Sequence, residues 1–139
     1  MTSSSSRAGR ITRIALGLIR LVNGAMALFA PDVLGGRLGV QTATSPGLGY
    51  GLRLFGVRTV LLGIGLLRAK DDPNDPVVRQ APLVHGADTA AAVLVLKRGE
   101  LPSRGAKIAV AASAVNVVLA VLLNVFVRRA HSVPSPSKP

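Results

Sequence analysis

Five of the polar residues that lie within the long apolar segments of this 139-residue sequence have the chemistry of an ion-pair site. They are Arg20, Arg58, His85, Asp88 and Asn116. A guanidinium group can give a carboxylate two parallel hydrogen bonds, so either arginine is a natural partner for the aspartate, and the His and Asn can satisfy the remaining donors. Two arginines and one carboxylate carry one excess positive charge, and a buried excess charge needs water, an anion or a ligand.

This polar cluster has a structural and a ligand-binding interpretation. Polar residues inside a membrane hold helices in register, at about 1 kcal/mol per contact. Alternatively, the excess positive charge binds an anion, a quinone or a lipid head group. We favour the structural interpretation, because one of the two arginines could extend toward a membrane interface.

The rest of the sequence offers little for catalysis. It has no Cys, which excludes disulfides, thiol chemistry and Cys-ligated metals. The two histidines, His85 and His131, do not stand in a metal-ligand pattern, so we predict no metal site. His85 and Asp88 share a helix face and could form an acid–base pair, but we expect them to satisfy each other. We therefore predict no catalytic residue and favour a protein that is not an enzyme, while an enzymatic role stays open and a quinone is the one cofactor kept open.

Composition indicates a membrane protein. Apolar residues make up 49% of the chain, the mean hydropathy is +0.46, and the apolar residues lie in long blocks. The net charge of +11 could also indicate nucleic-acid binding. However, one Tyr, three Phe and no Trp leave few rings to stack on bases, and the basic residues flank the apolar blocks. We therefore expect the lipid bilayer, and not nucleic acid, as a partner.

Four apolar segments are each long enough to cross a bilayer, and we predict helices at about 11–30, 50–68, 76–96 and 107–127. Asp75 and Pro76 suit the cap and first position of the third helix. Between the first two helices, a short helical turn could form at 33–38. The ends, 1–10 and 130–139, are rich in Ser, basic residues or Pro, and we expect both to be disordered.

The predicted fold class is all-α, an integral membrane four-helix bundle over residues 11–129. Arg20, Arg58, Asp88 and Asn116 each fall near the midpoint of one helix, so they would meet at one depth. Glycines spaced by seven residues, among them Gly56 and Gly63, predict close helix packing. With four spans both termini lie on one side, and nine Lys and Arg against five place that side in the cytoplasm of a plasma-membrane protein.

Three stretches resemble the DoxX-like superfamily of small four-helix membrane proteins. They are RIALGLIRLVNGAMALFAP at 13–31, RLFGVRTVLLGIGLL at 53–67 and HGADTAAAVLVL at 85–96. Together with the segments between them they span most of residues 11–127, and they look like an uncharacterised branch of the group. The resemblance implies a four-helix membrane fold. Because the superfamily includes membrane subunits of quinone-linked oxidoreductases, it also implies a quinone as a candidate ligand.

Three functions follow from these observations. The first is an accessory or assembly subunit that packs against a larger membrane protein or against itself. The second is a quinone- or lipid-binding subunit of an oxidoreductase, with Arg20, Arg58 and Asp88 at the head group. The third is a small dimeric transporter, against which stands the pairing of Asp88, the only acid inside an apolar block, with arginines.

Overall fold

The structure is a computed structural model that describes the backbone of residues 2–42 and 46–132. It describes the side chains of residues 7–42 and 47–132. The described residues form five helices: α1 (Thr2–Phe29), α2 (Pro31–Leu38), α3 (Pro46–Arg68), α4 (Pro76–Arg98) and α5 (Ser103–His131). No strand occurs in either described part. The predicted all-α class is therefore confirmed.

The four long helices match the four predicted segments, but most of them extend further. The disorder predicted for residues 1–10 is wrong for residues 2–10, which form the first turns of α1. Gly9 there lies against Val127 of α5, and such tertiary packing overrides a modest local helix propensity. At the other end α5 continues to His131, whereas residues 133–139 of the predicted disordered tail lie outside the described residues.

Local sequence signals set several helix ends. Asp75 accepts a hydrogen bond from the Val77 amide, and Pro76 takes the first position of α4, as predicted. The helical turn expected at 33–38 is an eight-residue helix, α2. It ends at Gly39, whose φ of 76° is a left-handed conformation that glycine adopts without strain.

Helix α1 is the centre of the arrangement. It packs along α3 on one side and along α5 on another, and α4 packs along α5. Helices α3 and α4 touch at only a few residues, so one side of the bundle is loosely closed. The start of α1 and the end of α5 lie at the same end of the bundle, which we call the termini end, and α2 lies across the opposite end, in contact with α1, α3 and α5.

Glycines allow α1 and α3 to approach each other closely. A Cβ placed on Gly24 would lie 2.7 Å from the Val60 amide nitrogen, and one on Gly56 would lie 2.6 Å from the Leu28 amide nitrogen. About two turns further along, seven residues away in each helix, Gly17 and Gly63 face each other in the same way. Four glycines, two per helix and seven residues apart, thus pair two antiparallel helices, as expected of small-residue seams in membrane proteins.

Polar and charged residues share the interior of the bundle with a small apolar core, and many large apolar residues are exposed on its outer surface. Few apolar side chains are buried, and they include Leu16, Val78 and Leu123. Charged or polar residues are buried beside them, whereas large apolar residues are exposed on every long helix, such as Phe29 at 81% and Leu83 at 75%. A soluble protein rarely exposes apolar surface on this scale.

Among the described residues, three helices are long and apolar enough to cross a membrane, namely Arg7–Phe29, Gly47–Arg68 and Ser103–His131. Helix α4 has the length, with 23 residues, but is not among them. Arg79, His85 and Asp88 lower its hydropathy. Length and composition therefore support a transmembrane character for three of the four helices that we predicted to span the membrane.

We expect Gly56→Ala to destabilise the protein by about 1–3 kcal/mol, because the added methyl group would have to push α1 and α3 apart. Gly51→Ala on the same helix is the matched control, since a Cβ there meets nothing within 4 Å. Thermal unfolding of both variants in detergent micelles measures the difference. Equal melting temperatures would contradict the close packing of α1 and α3.

Candidate functional site

Arg20 is the buried centre of the polar cluster. It lies on the face of α1 that carries Gly17 and Gly24, so its side chain enters the bundle, and the residue is 3% exposed. Its Nη2 atom donates to Asp88 Oδ2 at 2.7 Å and also to His85 Nδ1. One guanidinium group on α1 thereby binds two side chains of α4.

The two histidine nitrogens have different roles. A guanidinium group only donates hydrogen bonds, so His85 Nδ1 must accept one from Arg20 and the ring proton lies on Nε2. His85 is 2% exposed, and its backbone carbonyl accepts a hydrogen bond from the Thr89 hydroxyl at 2.9 Å. The ring is therefore a neutral member of the cluster.

Arg58 reaches the same carboxylate from the other side. Its Nη2 atom donates to Asp88 Oδ1 at 3.3 Å, a longer contact than that of Arg20. The side chain of Arg58 is 55% exposed, against 4% for Arg20 and 17% for Asp88. Asp88 therefore bridges α1 and α3, with one arginine enclosed and the other open to the surroundings.

Asn116 is buried on α5, but the structure does not show it as a partner of the ion pair. Its Oδ1 atom is enclosed without a hydrogen-bond partner, and the same holds for Arg20 Nε and Thr59 Oγ1. Four of the five predicted residues thus meet through hydrogen bonds or an ion pair. The fifth, Asn116, is buried, and its side-chain oxygen does not accept a hydrogen bond from the leftover donors of the cluster.

Arg13 has a role that the sequence analysis missed. Its Nη1 atom donates to the carbonyl oxygens of Leu66 and Leu67 at 2.7 and 3.1 Å, and its Nε atom donates to Asp71 at 2.8 Å. A cation at the last carbonyls of a helix is also favoured by the helix dipole. The available signal was the position of Arg13, one turn before Gly17 on the face that packs along α3.

Besides the cluster, a polar contact joins α4 to α5 nearer the termini end. Asn124 Nδ2 donates to the Val78 carbonyl at 2.6 Å. The Arg20–Asp88 bond ties α4 to α1, and the Asn124 contact ties it to α5. Together they fix the position of α4 along the axis of the bundle.

A small cleft lies where α3 and α4 are loosely packed, with a volume of about 60 Å³. Its walls are mostly apolar, and its polar lining residues are Gln80 and His85. The apolar lining residues are Leu62, Leu66, Val77, Ala81 and Val84. The cleft adjoins the polar cluster, because His85 belongs to both.

The described residues contain no group of three His, Cys, Asp or Glu side chains that could hold a metal ion. Comparison with models of protein families, with curated proteins and with solved structures gave no match to this chain. The resemblance to the DoxX-like superfamily therefore stays a prediction.

We expect Asp88→Asn to prevent the protein from accumulating, because it leaves the enclosed Arg20 without a counter-charge, a loss of about 3–5 kcal/mol for a buried ion pair. Glu100→Gln is the matched control, since the ion pair of Glu100 with Arg98 is half-exposed and worth at most about 1 kcal/mol. The measurement is the yield of monodisperse protein in detergent.

Replacing both partners, as Arg20→Leu with Asp88→Leu, should recover part of that yield, because neither member of the enclosed pair is left unpaired and only the half-exposed Arg58 loses its carboxylate. If Asp88→Asn accumulates as well as Glu100→Gln, the structural role is contradicted. If that variant accumulates but loses a bound small molecule, the cluster is a ligand site.

Proposed function

We propose that this protein is a multi-pass plasma-membrane protein with four spans and cytoplasmic termini that serves as an accessory or assembly subunit of a larger membrane complex. The observation that carries the membrane assignment is that charged and polar residues are buried while large apolar residues are exposed. Arg13, Arg20 and His85 are buried, whereas Phe29 and Leu83 are among the most exposed apolar residues. Lipid is the solvent in which that surface is stable.

The fourth span in this proposal is α4. Its hydropathy alone does not qualify it, but Asp88 and His85 are bound by Arg20 and do not face lipid. The contact between Asn124 and Val78 supports α4 lying beside α5 within the same slab. Intramembrane charges in multi-span proteins normally face the bundle interior in this way.

The accessory role is supported by the use of the Asp88 carboxylate for contacts within the bundle. Both carboxylate oxygens of Asp88 already bind arginines, so no free acid or base stands in the cluster to move a proton or hold a cation. That pairing also disfavours the dimeric transporter. What remains available to other molecules is the outer surface, with Arg58 half-exposed upon it.

A quinone- or lipid-binding subunit is the second candidate, and the cleft between α3 and α4 favours it. The cleft has apolar walls and is lined by the cluster residue His85, but at about 60 Å³ it would have to widen to hold an isoprenoid chain or a quinone ring. A ring N–H or guanidinium donor next to an apolar slot suits a quinone carbonyl.

The topology can be measured by labelling single cysteines, because the chain has no native Cys. Four spans place Asn74→Cys and Ser132→Cys in the cytoplasm and Gly36→Cys and Glu100→Cys outside; all four positions are exposed. A membrane-impermeant maleimide should label only the last two in intact cells. If α4 lies on the membrane surface instead, Glu100→Cys will share the accessibility of Asn74→Cys.

The accessory role is tested by purification from native membranes in a mild detergent, with mass spectrometry of proteins and extracted small molecules. The expected result is a membrane protein present in stoichiometric amount. Recovery of the chain alone with a quinone or an anionic lipid would favour the second candidate and contradict the first.

A further inference from the structure

We propose that the surface of α3 around Arg58 docks a transmembrane helix of a different protein, and that this helix carries an Asp or Glu at mid-membrane depth. The proposal rests on the accessory role above and names the chemistry of the partner. It is carried by the depth of Arg58, by the charge balance of the cluster and by the distribution of acids in this chain.

Arg58 lies at the centre of its span. It is 11 residues from Gly47 and 10 from Arg68, the ends of the apolar window. At a rise of 1.5 Å per residue, each end is about 15 Å away, farther than a side chain can extend toward an interface. Arg53, by contrast, lies six residues from Gly47, about 9 Å, and can reach the head groups.

The internal contacts leave Arg58 poorly compensated. Asp88 is shared with Arg20, which is the nearer at 2.7 Å, and Arg58 reaches the carboxylate with one nitrogen at 3.3 Å. A guanidinium has five N–H donors, and more than half of this side chain is exposed. Because His85 is neutral, the cluster keeps one excess positive charge, and that charge is on the lipid-facing side.

The surface around Arg58 is open and apolar. Leu54, Val57 and Leu61 are exposed at 52%, 43% and 63%. Two turns before Arg58 on the same face, Gly51 has nothing within 4 Å of where a Cβ would be. An apolar helix can approach closely at such a glycine, and a carboxylate on it would face Arg58.

A second copy of this chain does not have the required carboxylate. The chain has six acidic residues, and five of them stand in the loops or at the helix ends: Asp32, Asp71, Asp72, Asp75 and Glu100. The sixth, Asp88, is already bound inside the bundle. A symmetric dimer through this face would place two Arg58 side chains together, so the fitting occupant is another protein. A lipid phosphate does not fit either, because head groups lie about 15 Å away.

The first test uses a synthetic probe in phosphatidylcholine vesicles. The purified full chain is reconstituted with a labelled transmembrane peptide of Leu and Ala that has one central Glu, or with its twin that has Gln, and energy transfer reports binding. We expect the Glu peptide to bind at least tenfold more tightly than the Gln peptide. Arg58→Leu should abolish that preference, and Arg53→Leu, the matched control, should keep it.

Two further variants guard against a folding defect. Arg58→Lys keeps the charge and should retain a preference for the Glu peptide. Gly51→Leu fills the open surface without touching the cluster and should weaken the binding of both peptides. Equal affinity of wild-type protein for the two peptides, or an undiminished preference in Arg58→Leu, overturns the proposal.

The second test separates this proposal from the accessory role. If a stoichiometric partner purifies with the wild type and is lost from both Arg58→Leu and Gly51→Leu, the docking surface is supported. If the complex survives both substitutions, the accessory role stands and the docking surface is overturned. If the wild type has no partner, the accessory role fails, while the peptide preference still decides whether Arg58 binds an intramembrane carboxylate.

Discussion

The bond between Arg20 and Asp88 is the interaction on which the arrangement of the helices depends. Within the described residues, the backbones of α1 and α4 do not come within contact distance, because α1 packs along α3 and α5 and α4 packs along α5. The Arg20 side chain therefore crosses the interior diagonally to reach its partner at 2.7 Å. In the proposed four-span arrangement, this ion pair is the contact that holds the two helices at a common depth.

Close glycine packing and buried charge serve the same architecture in different ways. Lipid gives no hydrophobic drive for one apolar helix to leave it for another, so α1 and α3 associate through close backbone contact at Gly24 and Gly56. Where the backbones stay apart, a polar side chain spans the distance. Helix α1 takes part in both kinds of contact. It packs closely against α3 and forms the ion pair with α4, which places it at the centre of the bundle.

Much of this could be predicted from sequence, because the governing signals are strong and local. Long apolar segments give the helices, and the cost of an unpaired charge predicts that Arg20, Arg58 and Asp88 meet. The unequal exposure of the two arginines could not be predicted, since it depends on the loose side between α3 and α4. The role of Asn116 as an acceptor for the leftover donors of the cluster is not seen for a related reason. A helical wheel indicates the face on which a residue lies but not its distance from other helices. The contact of Arg13 with the last carbonyls of α3 could not be predicted either, because it depends on the antiparallel register of α1 and α3.

The contact pattern also divides the long helices into two pairs. Helices α1 and α3 form one tightly packed hairpin, α4 and α5 form another, and the direct contact between α3 and α4 is slight. Arg20 is separated from Asp88 by 68 residues, so the ribosome completes the first hairpin before the counter-charge exists. During that interval the nascent hairpin carries two uncompensated guanidinium groups in its middle. Arrival of the second hairpin brings Asp88, which gives Arg20 its counter-charge.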